Sequence, residues 1–353
     1  MDKPVLRIGI VGLGAVGLGT VHLLQDQAEL LALRAGRPLQ LVAVSARDAG
    51  RKRVPDVSAY RWHDDPLSMA EADDLDVIVE LIGGQDGTAL QLVTKALPHG
   101  KAYVTANKAM LSKHGVKLAT LAEQHGAQLC FEAAVGGGVP VIKALREGMG
   151  ANRVTSIRGI LNGTCNYILS RMAREDCDFD AALKAAQVAG FAEADPTLDI
   201  DGHDALQKIT VLAMAAFGGS FDIAQVKPQG IRGLRRHDVL QARRDGMMIK
   251  LVASATRQGD KVRVSVMPET LLLHDPLAAL PGSMNAITLH GEYTGPITMT
   301  GAGAGGTVTA CAVVADIIDI ARGRKTLPFG VPVAQLTNLT LTEELLHGSQ
   351  LSA

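Results

Sequence analysis

Between Phe191 and Lys208 the chain reads FAEADPTLDIDGHDALQK, and the next nine residues, ITVLAMAAF, carry no charge. Glu193, Asp195, Asp199, Asp201 and Asp204 crowd ahead of a single lysine. Carboxylates at this density can cage an ammonium group, bind a metal or stay solvated on a loop. Asp204 and Lys208 stand four apart, so on a helix they share a face. At a protein surface such a pair is a weak salt bridge. Here the uncharged run predicts a buried helix, so its first turn opens onto an interior cavity rather than bulk water. A lysine held there can donate a proton to a developing alkoxide or accept one from an alcohol. The glycine and oxygen-ligand spacing of a calcium loop is absent. Asp195 before Pro196 and Asp201 before Gly202 suit a turn and a helix cap.

A second chemical signal lies near the start, in VLRIGIVGLGAVGLGT. The apolar run Val5–Val11 reads as a buried strand, and Gly12-x-Gly14-x-x-Gly17 sits where it turns into a helix. In a dinucleotide-binding turn the first glycine allows the tight bend, the second lets a pyrophosphate reach the backbone, and the third lets helix and strand pack closely. Amides of Ala15, Val16 and Gly17 then face the phosphates. The following helix reads as one long element to Arg34. The next strand, Leu39 to Ser45, ends in Ser45-Ala46-Arg47 where an NAD-preferring site usually places a carboxylate. Arg47 can hold a 2′-phosphate, which favours NADP over NAD. Asp48 remains close enough to serve a ribose, and Arg51, Lys52 and Arg53 also read as a solvated basic loop.

The elements that must position these groups alternate between strand and helix. LDVIVELIGG ends in Gly83 and Gly84, and KAYVTANKAML runs into Thr105, Ala106, Asn107 and Lys108. The alternation predicts a doubly wound parallel sheet, with ligands beyond the strand C-termini. Gly83 and the Thr105–Lys108 turn fall at that edge. Lys108 reads either as a surface lysine or as a group beside the nicotinamide. From Asn152 the pattern changes to an α+β domain with a mostly antiparallel sheet. A strand leads to the polar turn Asn162-Gly163-Thr164, then a helix; strand-like runs follow at 261–272 and 286–301. GAGAGG, with Gly303 and Gly305, feeds a buried helix expected to return to the nucleotide domain. The expected division is a nucleotide domain of residues 1–134 completed by 303–353, and a substrate and dimerisation domain of 135–302.

Bulk properties exclude some classes. The net charge is −1, 3% of residues are aromatic, and no basic tract carries interleaved aromatics, so no nucleic-acid surface is expected. The start lacks a charged-then-apolar leader, and no uncharged apolar run of about 18 residues is present to span a bilayer. Cys130, Cys165, Cys177 and Cys311 lack CxxC spacing, which suits free thiols in a reducing compartment. A cytoplasmic protein without membrane attachment is expected. Cys165 lacks an evident histidine partner and is a poor nucleophile candidate. His22, His99, His114 and His125 read as solvated.

Taken together, VGLGAVG, VTANKAML, FEAAVGGGVP, GILNGTCNYIL, GFAEADPTLDIDGHDALQK and GAGAGG resemble homoserine dehydrogenase, over residues 5–335. The resemblance implies reversible NAD(P)-dependent oxidation of L-homoserine to L-aspartate 4-semialdehyde, on the route to threonine and methionine. It matches Glu193 and Asp199 to carboxylates that hold the substrate ammonium. It matches Asp204 and Lys208 to the pair at the reacting oxygen, Lys108 to a second lysine, and Asn162, Gly163 and Thr164 to a turn beside the substrate. Glu132 and the carbonyls of Val135, Gly137 and Val139 match a monovalent cation site, usually sodium. A homodimer is implied, with a tetramer as the alternative. Phe191 stands where many relatives have tyrosine, so a hydrogen bond from that hydroxyl is not expected. The chain ends at Ala353, too soon for the regulatory ACT domain many bacterial relatives append, so threonine inhibition through one is not expected. Two other readings compete: a different NADP-linked oxidoreductase of the same plan, and a nucleotide-binding redox sensor that would need no substrate cage.

Overall fold

The protein is described by a computed structural model covering residues 4–343. Its first segment builds strand β1 (Leu6–Val11), helices α1 (Ala15–Asp26) and α2 (Ala28–Ala35), then β2 (Leu39–Ser45) and β3 (Arg61–Trp62). Strand β4 (Val77–Glu80), α3 (Thr88–Ala96), β5 (Ala102–Thr105), α4 (Lys108–Gln124), β6 (Leu129–Cys130) and the short α5 (Val141–Lys143) follow. The six strands form one sheet in the order β3-β2-β1-β4-β5-β6, with every pairing parallel. The chain leaves β1 in one direction through β2 and β3 and in the other through β4, β5 and β6. The crevice where the order reverses, outside the C-termini of β1 and β4, is where such sheets take ligands. Near-continuous apolar strands explain the parallel arrangement: Ile8, Ile10, Val44, Val77, Val79 and Val104 are all fully buried, as both faces of such a sheet require.

The expected single helix after the glycine turn is two. Gln27, at φ −112° and ψ 25°, breaks it, and neither proline nor glycine marks the break in the sequence.

The second segment runs from β7 (Val154–Ile160) through α6 (Gly163–Glu175), α7 (Phe179–Val188), α8 (Thr197–Ile200), α9 (His203–Phe217), β8 (Gly219–Ser220) and α10 (Arg236–Arg244). It then forms β9 (Met247–Gln258), β10 (Lys261–Leu272), β11 (Met284–Gly291) and β12 (Gly295–Ala302). Strand β9 was not expected from the sequence, yet it pairs antiparallel with both β7 and β10. Helix α9 is buried around most of its circumference, through Leu206, Ile209, Val211, Leu212, Met214 and Phe217. Burying each large aliphatic side chain contributes about 1.5–3 kcal/mol, which is why this helix tolerates no charge after Lys208.

Helix α11 (Gly306–Arg322) follows, and two short strands, β13 (Thr337–Asn338) and β14 (Thr340–Leu341), close the described chain. The second sheet has the order β12-β11-β7-β9-β10-β14, antiparallel except for β10 with β14. β13 pairs with β8.

The chain divides into two compact units. One runs to Arg146 and regains Ala304–Leu336; the other is Glu147–Gly303 with the chain from Thr337. This differs from the expected bounds for physical reasons. Residues 135–146 stay with the nucleotide unit because Glu132 accepts the amides of Ile142 (3.0 Å) and Lys143 (2.8 Å), and the Lys143 ammonium pairs with Asp316 and Asp319 of α11. Gly303 stays with the second unit, where a Cβ would fall 2.0 Å from the Asn285 side chain. Strands β13 and β14 also join the second unit, by pairing with β8 and β10. Helix α11 belongs to the nucleotide unit, with Gly306 and Gly19 permitting close approach to α1: a Cβ on Gly19 would lie 2.8 Å from the Gly306 carbonyl oxygen.

Candidate active site

In the second unit the acidic segment and the polar turn meet. Asn162 is buried and caps α6, its side-chain oxygen accepting the Cys165 amide at 2.8 Å. The expected turn at Gly163 and Thr164 is therefore the first turn of a helix. The other end of the Asn162 amide donates to Asp199 at 2.7 Å and to Asp204 at 2.9 Å. Asp204 also accepts from Lys208 Nζ at 2.7 Å, one turn along α9, and the same ammonium donates to the Leu161 carbonyl at 2.8 Å. Both side chains are nearly enclosed, at 12% and 11% exposure for Lys208 and Asp204. That low exposure separates this pair from the solvated i, i+4 pairs that contribute little. Asp204 also lies in the first turn of α9, where the helix dipole favours a carboxylate.

Gly163 and Thr164 shape the surroundings rather than offer charge. A Cβ on Gly163 would fall 2.5 Å from the Ser283 carbonyl oxygen, so only glycine packs there. Thr164 donates to the Phe191 carbonyl at 2.6 Å, and the Phe191 ring packs on Tyr167 at 4.8 Å. Glu193 is exposed, and among the described residues its backbone carbonyl accepts from Gln187. The structure gathers Asn162, Asp199, Asp204 and Lys208, and leaves the Glu193 side chain outside that cluster. Asp195 holds a turn by accepting the Thr197 amide. Asp201, expected as a cap, instead pairs with Arg232 at 2.9 and 3.1 Å, and Gly202, at φ +86°, caps α9. Cys165 is buried and its thiol donates to the Asp199 carbonyl at 3.2 Å. Burial pushes its pKa well above the ordinary value, with Asp199 adding to the rise, so it is not a nucleophile.

In the nucleotide unit the three glycines of the turn do three different jobs. Gly12 has φ +103°, a conformation L side chains avoid. A Cβ on Gly17 would fall 2.0 Å from the Gly12 carbonyl oxygen. Gly14 caps α1 without any side-chain bond and has nothing within 4 Å of a hypothetical Cβ. Its backbone therefore faces open space beside a helix N-terminus carrying Ala15 and Val16, which fits a bound pyrophosphate. At the neighbouring edge Gly83 has φ +72° and also faces open space. Thr105 and Asn107 are buried, Ala106 is half-buried, and Asn107 caps the helix whose first residue is Lys108. Arg47 is exposed just past β2. Arg53, by contrast, is committed to its own loop, bonding the Asp48 and Arg51 carbonyls and lying over the Trp62 ring. Gly305 caps α11.

Glu132 is almost fully buried, and burial, with Asp316 adding to it, pushes its pKa up to about 7. Each of its oxygens accepts one amide and retains lone pairs. Gly136 and Gly137 turn the following buried loop with φ of +81° and +57°. The Val139 carbonyl already accepts the Val141 amide at 2.8 Å. Among the described residues no group of three or more His, Cys, Asp or Glu side chains could hold a metal. A cation here would rely on backbone carbonyls such as those of Val135 and Gly137 as much as on Glu132.

Sequence reasoning missed two groups. The Leu161 carbonyl holds Lys208, and a carbonyl leaves no signature in residue type. Glu80, fully buried at the end of β4, was visible only as the one charged residue in VIVELIGG. All four cysteines are free, and among the described residues no helix is long and apolar enough to cross a membrane.

Comparison with known proteins agrees with this arrangement. A family profile described as homoserine dehydrogenase, NAD binding domain, matches residues 12–132, and one described as homoserine dehydrogenase matches 140–318. A homoserine dehydrogenase of Neisseria gonorrhoeae is 43% identical over 322 residues, covering 91% of this chain and 73% of the relative. One from Bacillus subtilis is 38% identical over 320 residues, covering 91% and 74%. Among solved structures, a homoserine dehydrogenase from Thiobacillus denitrificans superposes with a TM-score of 0.91 at 38% identity, covering 97% of this chain and 80% of that one. A hyperthermophilic archaeal homoserine dehydrogenase in complex with NADPH superposes with a TM-score of 0.77 at 25% identity, covering 92% and 100%. The nucleotide-binding turn, the capped polar helix and the buried acid–lysine pair thus occur together in a chain that belongs to the homoserine dehydrogenase family.

Proposed function

We propose that the chain interconverts L-homoserine and L-aspartate 4-semialdehyde, with Lys208 as proton carrier and Asp204 as its orienting partner. The observation that carries this reading is the enclosed cluster Asn162–Asp199–Asp204–Lys208. In the reducing direction the Lys208 ammonium donates its proton to the aldehyde oxygen as negative charge develops there, giving the homoserine hydroxyl. In the oxidising direction the lysine amine accepts that proton. The Leu161 carbonyl and Asp204 fix Nζ from two sides, so its remaining donor can point at substrate. Asp199 and Glu193 supply negative charge for the substrate ammonium, and Asn162, Gly163 and Thr164 line the same end of α6. A bound nicotinamide supplies or accepts the hydride. Gly12, Gly14 and Gly17 hold its pyrophosphate, and Gly83, Thr105–Asn107 and Gly305 border it. Lys108 assists at the reacting end.

The finer readings are separate. Arg47 gives the site a preference for NADP over NAD, because its exposed guanidinium can pair with a 2′-phosphate. Glu132 with the carbonyls of Val135, Gly137 and Val139 holds a monovalent cation, sodium by the family resemblance. The enzyme is a cytoplasmic homodimer, or a tetramer, built through the second sheet; it needs neither nucleic acid nor membrane. Steady-state kinetics with NADH and NADPH on wild type and Arg47→Ala test the first point. The variant should raise KM for NADPH about tenfold and leave NADH almost unchanged. Equal effects on both cofactors would remove Arg47 from the site. Absence of any NADPH oxidation with aspartate semialdehyde would favour a different substrate on the same plan.

A further inference from the structure

We propose that Glu80 is a positioning residue that ties the two cofactor-facing loops of the nucleotide unit together and thereby sets the place of Lys108. It rests on the reading that Gly83 and Lys108 face the cofactor. Glu80 ends β4, at 0% exposure, and no ion pair neutralises it among the described residues. Instead one carboxylate oxygen accepts the amides of Ile82 (2.8 Å) and Gly83 (3.0 Å), and the other accepts the Thr105 hydroxyl (2.7 Å). The first pair fixes the loop after β4, where Gly83 and Gly84 run at φ +72° and +88°. The second fixes the end of β5.

The link continues into the next helix. The Thr105 oxygen accepts the Asn107 amide at 2.9 Å. The Asn107 side chain then reaches both ways, donating to the Gly84 carbonyl at 2.7 Å and accepting the Met110 amide at 3.1 Å as the cap of α4. The network is closed: β4 loop, β5 end and α4 start share one set of bonds, and Lys108 is the first residue of that helix. Burial raises the pKa of Glu80 above the ordinary carboxylate value, while Thr105, Gly83 and Ile82 act against the rise. A buried acid is a costly way to finish a strand. Its two oxygens are what let one side chain serve three donors on two loops, which neither a hydroxyl nor an amide can do without leaving a donor or a lone pair unmatched.

Glu80→Gln tests this, because the amide keeps the volume but presents a donor where Thr105 also donates. Three readouts are compared with wild type: amide hydrogen exchange of the cofactor-free protein, the Kd for NADPH by fluorescence titration, and KM and kcat. The proposal predicts faster exchange at residues 82–84 and 105–110 and an NADPH Kd raised about tenfold or more. KM for NADPH should rise and kcat should fall, since both a loop and Lys108 are displaced. Unchanged exchange at those residues overturns the tie itself. Faster exchange with unchanged NADPH affinity overturns the reading of that edge as a cofactor site, and so separates the two failures. Thr105→Val, which removes the same hydroxyl at near-constant volume, must move all three readouts in the same direction if Glu80→Gln fails to fold.

Discussion

Lys208 and Asp204 would be an ordinary helix pair if they faced water. What changes their meaning is the Asn162 amide on one side and the Leu161 carbonyl on the other, which leave the lysine little freedom. Asp204 acts on the lysine, and Asn162 acts on Asp204. Replacing Asp204 with asparagine keeps the shape and removes the charge that holds Nζ. Single-turnover NADPH oxidation in Asp204→Asn should fall by about 10²-fold or more at a temperature where the variant is folded, and its thermal midpoint should fall as well, because an enclosed ion pair loses one partner. A rate within twofold of wild type would reduce Asp204 to a structural partner. The charged members of the cluster could be read from the chain because spacing and an uncharged following helix are sequence properties. The Leu161 carbonyl could not, since its role depends on where β7 ends, not on which side chain it carries.

At the scale of elements, the β1–α1 turn separates packing from ligand contact. Gly17→Ala puts a methyl against the Gly12 carbonyl and should cost about 1–3 kcal/mol of stability. Gly14→Ala meets only open space, so it should fold like wild type yet bind NADPH more weakly. Calorimetry and a fluorescence titration of both variants check the contrast; similar losses of stability in the two would contradict it. The glycine turn was legible because Gly12 and Gly17 answer local backbone and steric demands, while Gly14 leaves its backbone open to a ligand. The break at Gln27 and strand β9 were not: no proline or glycine marks the break, and β9 is fixed by its pairing with β7 and β10. Strand β9 carries a further consequence. Its Lys250 is buried, bonding Asn166, Ser170 and the Leu280 carbonyl, and burial, with Arg174 adding to it, lowers its pKa to about 8. The unfolded chain, with an ordinary lysine, binds more protons between about pH 8 and 10. The stability contributed by this site is therefore least below pH 8 and grows as pH rises above it. Urea unfolding of wild type and Lys250→Met should show the difference between them shifting toward wild type from about pH 8 to 10. A difference that stays flat would mean that the ammonium is as well held inside as in water.

At the scale of the whole molecule, the chain keeps two kinds of architecture for two tasks. The parallel unit offers open helix N-termini of the kind that take a nucleotide, and the mixed unit holds a buried acid–lysine pair. Their general division was legible from the switch in pattern near Asn152. The bounds were not, because ion pairs of Lys143 with α11 and the pairing of β13 and β14 are decided in space. Ligands should report on the units by mass action: NADPH at about a hundredfold its Kd adds roughly 2.7 kcal/mol to the stability of whatever unit binds it. Hydrogen exchange should then slow most in residues 4–146 and 304–336. Lys208 as the proton carrier is tested most directly by single-turnover oxidation of NADPH by L-aspartate 4-semialdehyde. Wild type, Lys208→Ala and Lys108→Ala would be measured side by side with cofactor saturating. The structure predicts a loss of about 10²- to 10⁴-fold in Lys208→Ala and a smaller one in Lys108→Ala. Near-wild-type turnover in Lys208→Ala would contradict it.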